Sequence, residues 1–179
     1  MTSAPPSPSA PDAVSPLERL AAWHRRGEAC LALLQGLRQR PAGAPADRTA
    51  AAAVLDYFDA SDAVHHEDEE RELYPALIDA MAGSDAVCLR QMTDGVTALH
   101  RRLESLWDGL RPALAALAAG RAAALDAAAV QALADTCTAL FQREDRELLP
   151  MAQRLLDDAA LAAIATAMDA RRRTFDARS

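Results

Sequence analysis

The 179-residue sequence predicts an all-α protein: an up-down-up-down four-helix bundle made of a duplicated helical hairpin, with a short C-terminal helix. Three observations predict it. Hydrophobic residues are 51% of the chain and aromatics only 4%, so the apolar mass is Ala and Leu, strong helix formers, with few residues that strands prefer. Apolar residues recur at alternating steps of three and four along four long segments, the spacing of bundle helices with one buried face. Two motifs also return at nearly one offset. "WHRRGEA" around His24 comes back 76 residues later as "LHRRLES" around His100, and "EERELYP" from Glu69 comes back 75 residues later as "EDRELLP" from Glu144.

The first helix starts near Ser15-Pro16, a cap followed by Pro in the first turn. Its inner stripe is Leu17, Leu20, His24, Gly27, Leu31 and Leu34, and "RPAGAPAD" ends it. The second runs from about Asp47 to Met81 along Ala51, Leu55, Phe58, Asp62, His65, Glu69, Leu73 and Ala76. "MAGSD" then stops it and offers Ser84 as the next N-cap. The third carries Leu89, Met92, Val96, His100, Leu103, Trp107 and Leu110, with a partly helical joint from Pro112 to Ala124. The fourth starts near Asp126 and shows Val130, Leu133, Cys137, Leu140, Glu144, Leu148, Met151 and Leu155. A shorter amphipathic piece over 159–173 is expected to pack across one end. Pro75 and Pro150 should kink or break the second and fourth helices. The bundle is thus assigned to residues 15–173, between a disordered Pro/Ser/Ala tail at 1–14 and a C-terminal tail at 174–179.

Composition narrows the function. Net charge is −7 with a pI near 5.0, and no sustained basic stripe offers itself to nucleic acid. No apolar run of membrane-spanning length occurs, and the N-terminus lacks the basic start and apolar run of a signal peptide. Cys30, Cys88 and Cys137 are widely spaced, so reduced thiols and a cytoplasmic location are expected.

The polar interruptions of the inner stripes carry the chemistry. A lone histidine in a core stripe is more often a hydrogen-bonded core residue than a ligand, and an acid run such as Glu67 to Glu72 is ordinarily solvated. Glu67, Asp68, Glu70 and Glu72 fall largely off the inner stripe. His66 also falls off it and reads as a partly exposed side chain pairing with Asp62 or Glu70. The set is different. His24, His65, Glu69, His100 and Glu144 all occupy inner slots, on four helices. Burying an unpaired carboxylate costs several kcal/mol, and with no Lys in the chain and no Arg on these stripes the two acids need a cation. Imidazole and carboxylate suit iron, manganese or zinc. The i, i+4 step from His65 to Glu69 brings both to one side of a helix. The Glu-x-x-His motif of ferritin-like di-iron bundles is absent.

These motifs, His on the first helix, "HHEDEERELYP" on the second, His on the third and Glu ahead of "RELLP" on the fourth, resemble the hemerythrin-like (HHE) cation-binding family from Leu17 to Arg173. The resemblance implies a carboxylate-bridged di-iron centre that binds oxygen or a related small ligand, or senses oxygen, nitric oxide or iron. It implies His24, His65, Glu69, His100 and Glu144 as ligands. One position departs from the family pattern, which expects His where Leu140 stands. Asp62, His66 and Glu67 are the nearest residues to fill in, with Asp62 better placed to hydrogen-bond a ring N–H. Two metal readings follow: an asymmetric di-iron site with an extra open position, or a mononuclear site with iron, manganese or zinc. The expected partner is a small diatomic or redox ligand (oxygen, nitric oxide or peroxide). A di-iron catalyst consuming peroxide or nitric oxide and a metal-free helical interaction module are the rival functions.

Overall fold

A computed structural model describes residues 14–39 and 45–177, without the side chains of residues 45, 46, 60–63 and 84. Every regular element among them is helical. The expected 1–14 tail lies outside this range except for Val14, which is exposed.

Helix α1 spans Pro16–Gln39. The second stretch is one helical path in five pieces: α2 (Pro45–Leu55), a π-helical turn π1 (Asp56–Asp62), α3 (Ala63–Asp68), a second wide turn π2 (Glu69–Leu73) and α4 (Tyr74–Asp79). Helix α5 spans Gly83–Ala118. The fourth stretch repeats the second: α6 (Ala127–Arg143), π3 (Glu144–Leu148) and α7 (Leu149–Leu155), and α8 (Asp158–Asp176) closes the chain. In chain order α1 packs on α2, α2 on α5, α5 on α6, and α6 returns to α1, so the four stretches close a ring around one core. Helix α8 lies across α1, α3 and π2.

Local chemistry sets the ends. Asp126 caps α6, its Oδ1 accepting from the Ala128 N–H at 2.8 Å, and Asp157 does the same for Ala160. Helix α5 ends in a Schellman motif: Gly120 takes φ +73°, its N–H donates to the Leu117 carbonyl, and the Arg121 N–H donates to that of Ala116. Three expectations need correction. Helix α5 starts at Gly83 behind Ala82, so Ser84 is not its N-cap. It also runs straight through Pro112, because Leu114 and Leu117 on the continuing turns are buried. The C-terminal helix reaches Asp176, beyond the boundary set at residue 173.

Pro75 and Pro150 are accommodated by the wide turns before them. Proline lacks an N–H and clashes with the carbonyl four residues back, and here that residue, Arg71 or Arg146, sits inside a π turn that loosens the ladder. Each of π2 and π3 inserts one residue and shifts the inner face. Beyond π2 the buried residues are Tyr74 and Leu77, with Ala76 only half-buried. Beyond π3 they are Leu149, Ala152 and Leu156, with Leu155 exposed.

Candidate metal centre

Where the four stretches face one another, their polar residues meet. Helix α1 brings His24, α3 brings His65 and His66, π2 opens with Glu69, α5 brings His100 and π3 opens with Glu144. All six are buried. One donor atom each from His24, His65, Glu69 and Glu144 lies within 4.8 Å of every other.

The carboxylates divide their oxygens. Glu69 Oε1 faces His65 Nε2 at 3.4 Å and His24 Nε2 at 3.7 Å, while Oε2 faces His100 Nε2 at 3.5 Å. Glu144 Oε2 faces His24 Nε2 at 3.2 Å, while Oε1 faces His100 Nε2 at 3.5 Å. Tyr74 donates its hydroxyl to that same Oε1 at 2.7 Å. Each acid therefore offers one oxygen to the His24–His65 side and the other to the His100 side.

This donor set fits a cation. Both Glu69 oxygens, Glu144 Oε2 and His100 Nε2 are buried without a hydrogen-bond partner. Buried polar atoms are almost always paired, and each one left over costs about 1–3 kcal/mol, more when charged. Four such atoms in one buried cluster, all nitrogen or carboxylate oxygen, suit iron, manganese or zinc.

Without an ion, protons hold the charges. Burial lowers the His24 pKa, but the hydrogen bond to Asp145 and the nearby Glu144 and Glu69 carboxylates more than reverse this and raise it to about 12. His100 is treated alike, burial opposing Glu144, Glu69 and Glu70, and is raised to about 9. Burial, and then the Glu144 carboxylate, push Glu69 up to about 8. Burial works on Glu144 in the same sense, but His100 and His24 hold it below the ordinary carboxylate range. Burial first, and then the positive rings nearby, keep His65 and His66 well below the usual histidine range and neutral. At neutral pH an incoming ion must therefore displace protons from His24, His100 and Glu69. Metal uptake is expected to release protons and to weaken as pH falls. Titration of the chelator-treated protein in buffers of different ionisation enthalpy measures the release, and a buffer-independent heat would contradict it.

Around the donors the duplication reappears as geometry, with each hairpin serving the other. Asp145, next to Glu144, accepts from His24 Nδ1–H at 2.7 Å, and Glu70, next to Glu69, accepts from His100 Nδ1–H at 2.8 Å. Phe141 stacks on His24, ring centroids 5.0 Å apart, and its counterpart His66 stacks on His100 at 3.8 Å. Acids on Nδ1 fix ring orientation and leave Nε2 aimed at the centre. Gly27 makes room for the Phe141 ring, since a Cβ there would come within 2.6 Å of Phe141 Cζ and 2.5 Å of the Tyr57 hydroxyl. Ala gains about 1 kcal/mol of helix propensity over Gly, but overpacking costs about 1–3 kcal/mol. Gly27→Ala is therefore expected to lower the melting temperature and displace Phe141; a raised one would show that the ring has space to retreat.

The reserve residues divide. His66 is buried against His100, not partly exposed as its position off the stripe predicted. Glu67 turns outward, 3.3 Å from Arg171 and 3.7 Å from Arg71, and does not reach the cluster. The Asp62 side chain lies outside the described residues. The acid run is less solvated than expected: Asp68 is buried in an ion pair with Arg171, whose guanidinium also holds Glu72 at 2.6 Å. Sequence reasoning missed Glu70, Asp145 and Tyr74. The first two were readable from the 75-residue offset, as the acid after each motif glutamate. Phe58, Leu103, Leu140 and Phe141 are all buried.

Residues 15–152 match the family model described as the hemerythrin HHE cation binding domain. No curated protein matches the chain. Among the described residues no helix is long and apolar enough to cross a membrane.

Proposed function

Because the chain belongs to the hemerythrin HHE cation-binding family, we propose that it is a non-haem iron protein that holds two ions and binds or senses a small diatomic or redox ligand: oxygen, nitric oxide or peroxide. The observation that supports this best is the division of the carboxylate oxygens. Glu69 and Glu144 each present one oxygen to His24 and its neighbours and one to His100, as bridging carboxylates would. Iron in such a site supplies one-electron redox chemistry and a position for an exogenous ligand.

The protein's own groups do the rest. His24, His65 and His100 would anchor the ions and Glu69 and Glu144 would bridge and neutralise them. Asp145 and Glu70 hold the His24 and His100 rings in register and take up the charge that ligation places on them. Phe58, Leu103, Leu140 and Phe141 limit water near the centre. An up-down-up-down order of the four stretches is the arrangement this reading assumes.

A mononuclear site is the second reading, favoured by the four-donor group His24, His65, Glu69 and Glu144, which could hold one ion without His100. Elemental analysis with visible spectra under air and after anaerobic reduction separates the two. Two irons per chain with a reversible, ligand-dependent spectrum is the expected result. One ion per chain supports the second reading, and a protein that retains no stoichiometric metal overturns both. Peroxide consumption by the iron-loaded protein would identify a catalyst.

A further inference from the structure

Resting on the two-ion reading, we propose that Tyr74 is a metal ligand: its phenolate oxygen completes the His100 side of the centre and takes the place of the imidazole that Leu140 does not provide.

The duplication shows the exchange. At the 75-residue offset His65 corresponds to Leu140, and Tyr74 corresponds to Leu149. The His24 side thus has a second nitrogen donor, His65, where the other repeat has a leucine. The His100 side has a hydroxyl, Tyr74, where the other repeat again has a leucine. Counting one oxygen from each carboxylate, both sides then hold four protein donors: His24, His65, Glu69 and Glu144 on one, and His100, Tyr74, Glu69 and Glu144 on the other.

The backbone brings Tyr74 there. In an unbroken α-helix the residue on the Glu69 face is Leu73. The π turn over Glu69–Leu73 widens the step, and Tyr74, five residues beyond Glu69, also turns inward. It is buried, and its hydroxyl meets Glu144 Oε1, the oxygen 3.5 Å from His100 Nε2. The ring lies nearly parallel to that of His100, at 17°. Leu149 follows an identical wide turn at π3, so the two repeats share the backbone device and differ in the side chain it delivers.

Charge points the same way. Glu69 and Glu144 neutralise a single divalent ion, and a phenolate adds a further negative group beside the second. On ligation of a ferric ion the Tyr74 O–H bond breaks and its electron pair forms the oxygen–iron bond. The proton leaves to solvent, and Glu144 Oε1 loses its hydrogen bond but keeps its lone pair for the ion.

The full chain, loaded anaerobically with ferrous iron and oxidised with ferricyanide (one electron per iron), tests this. Wild type is expected to hold two irons and to show a visible phenolate-to-ferric absorption with tyrosinate ring modes in the resonance Raman spectrum. Tyr74→Phe should lose both signals and fall from two irons to one, and adding Leu140→His should restore the second iron without restoring the tyrosinate modes. Two irons in wild type without tyrosinate modes overturns the Tyr74 assignment and leaves the two-ion reading standing. Fewer than two irons in wild type overturns the two-ion reading, and the assignment with it. Tyrosinate modes that persist in Tyr74→Phe assign the ligand to the other tyrosine, Tyr57, and overturn the proposal. If Tyr74→Phe does not fold, the modes in wild type against Tyr57→Phe decide.

Discussion

Replacing Glu144 with Gln is expected to cost the chelator-treated protein about 3–5 kcal/mol and to abolish retention of both ions. Gln keeps the shape and removes the charge. Glu144 stands 3.2 Å from His24 Nε2 and 3.5 Å from His100 Nε2, so both imidazolium groups lose the fully buried anion on their Nε2 side and keep only Asp145 and Glu70 on Nδ1. Removing the one anion that two buried rings share leaves both charges under-compensated, the costly case. Because Glu144 offers an oxygen to each side, both ions should be lost together, with affinity falling more than about 100-fold, given that changes to outer partners alone cost about 10–100-fold. His65→Ala, by contrast, should release metal from one side only. Urea unfolding and elemental analysis of the two variants check this. Glu144→Gln as stable as wild type would mean that the imidazoles are not charged in the ion-free core.

Arg171→Ala should destabilise the protein by about 3 kcal/mol, through the surface of α8 and away from the metal donors. Asp68 is only 3% exposed, and its carboxylate is paired with the Arg171 guanidinium, which also grips Glu72 and Glu67. Burial pushes the Asp68 pKa up and Arg171 holds it down. Without Arg171 the acid must become protonated or drag water into the contact, and α8 loses its strongest hold on α3 and π2. The lower end of the range for buried pairs applies because Arg171 is 15% exposed. Thermal melts of wild type and Arg171→Ala measure it, and a shift equivalent to less than about 1 kcal/mol would show that apolar packing of Ile164 and Met168 docks the helix unaided.

What the sequence revealed follows its periodicity. His24, His65, Glu69, His100 and Glu144 were legible because each fills a slot in a stripe whose other members are buried leucines, valines or rings, so a polar residue there stands out. Legibility ends at π2 and π3. Counting steps of three and four carries through Leu73 and Leu148, then selects Ala76 and Leu155, whereas the structure buries Leu77 and Leu156. One inserted residue accounts for each slip. Nothing in "EERELYP" announces it except the proline that follows, and Tyr74 was overlooked for the same reason. Asp68 was missed differently: its partner Arg171 lies 103 residues away, and a local pattern cannot show which acid of a run will meet a distant guanidinium. The joint expected over 112–124 proves helical as far as Ala118, where burial of Leu114 and Leu117 outweighs one lost hydrogen bond.

The crossing of Asp145 to His24 and of Glu70 to His100 has one more consequence. Neither half of the chain owns a complete coordination sphere, since each imidazole is aimed by an acid borrowed from the opposite half. Any motion that parts the two halves frees both rings at once, so the centre should be assembled or lost as a unit, and fidelity of docking between halves becomes the quantity that governs how firmly cations are kept.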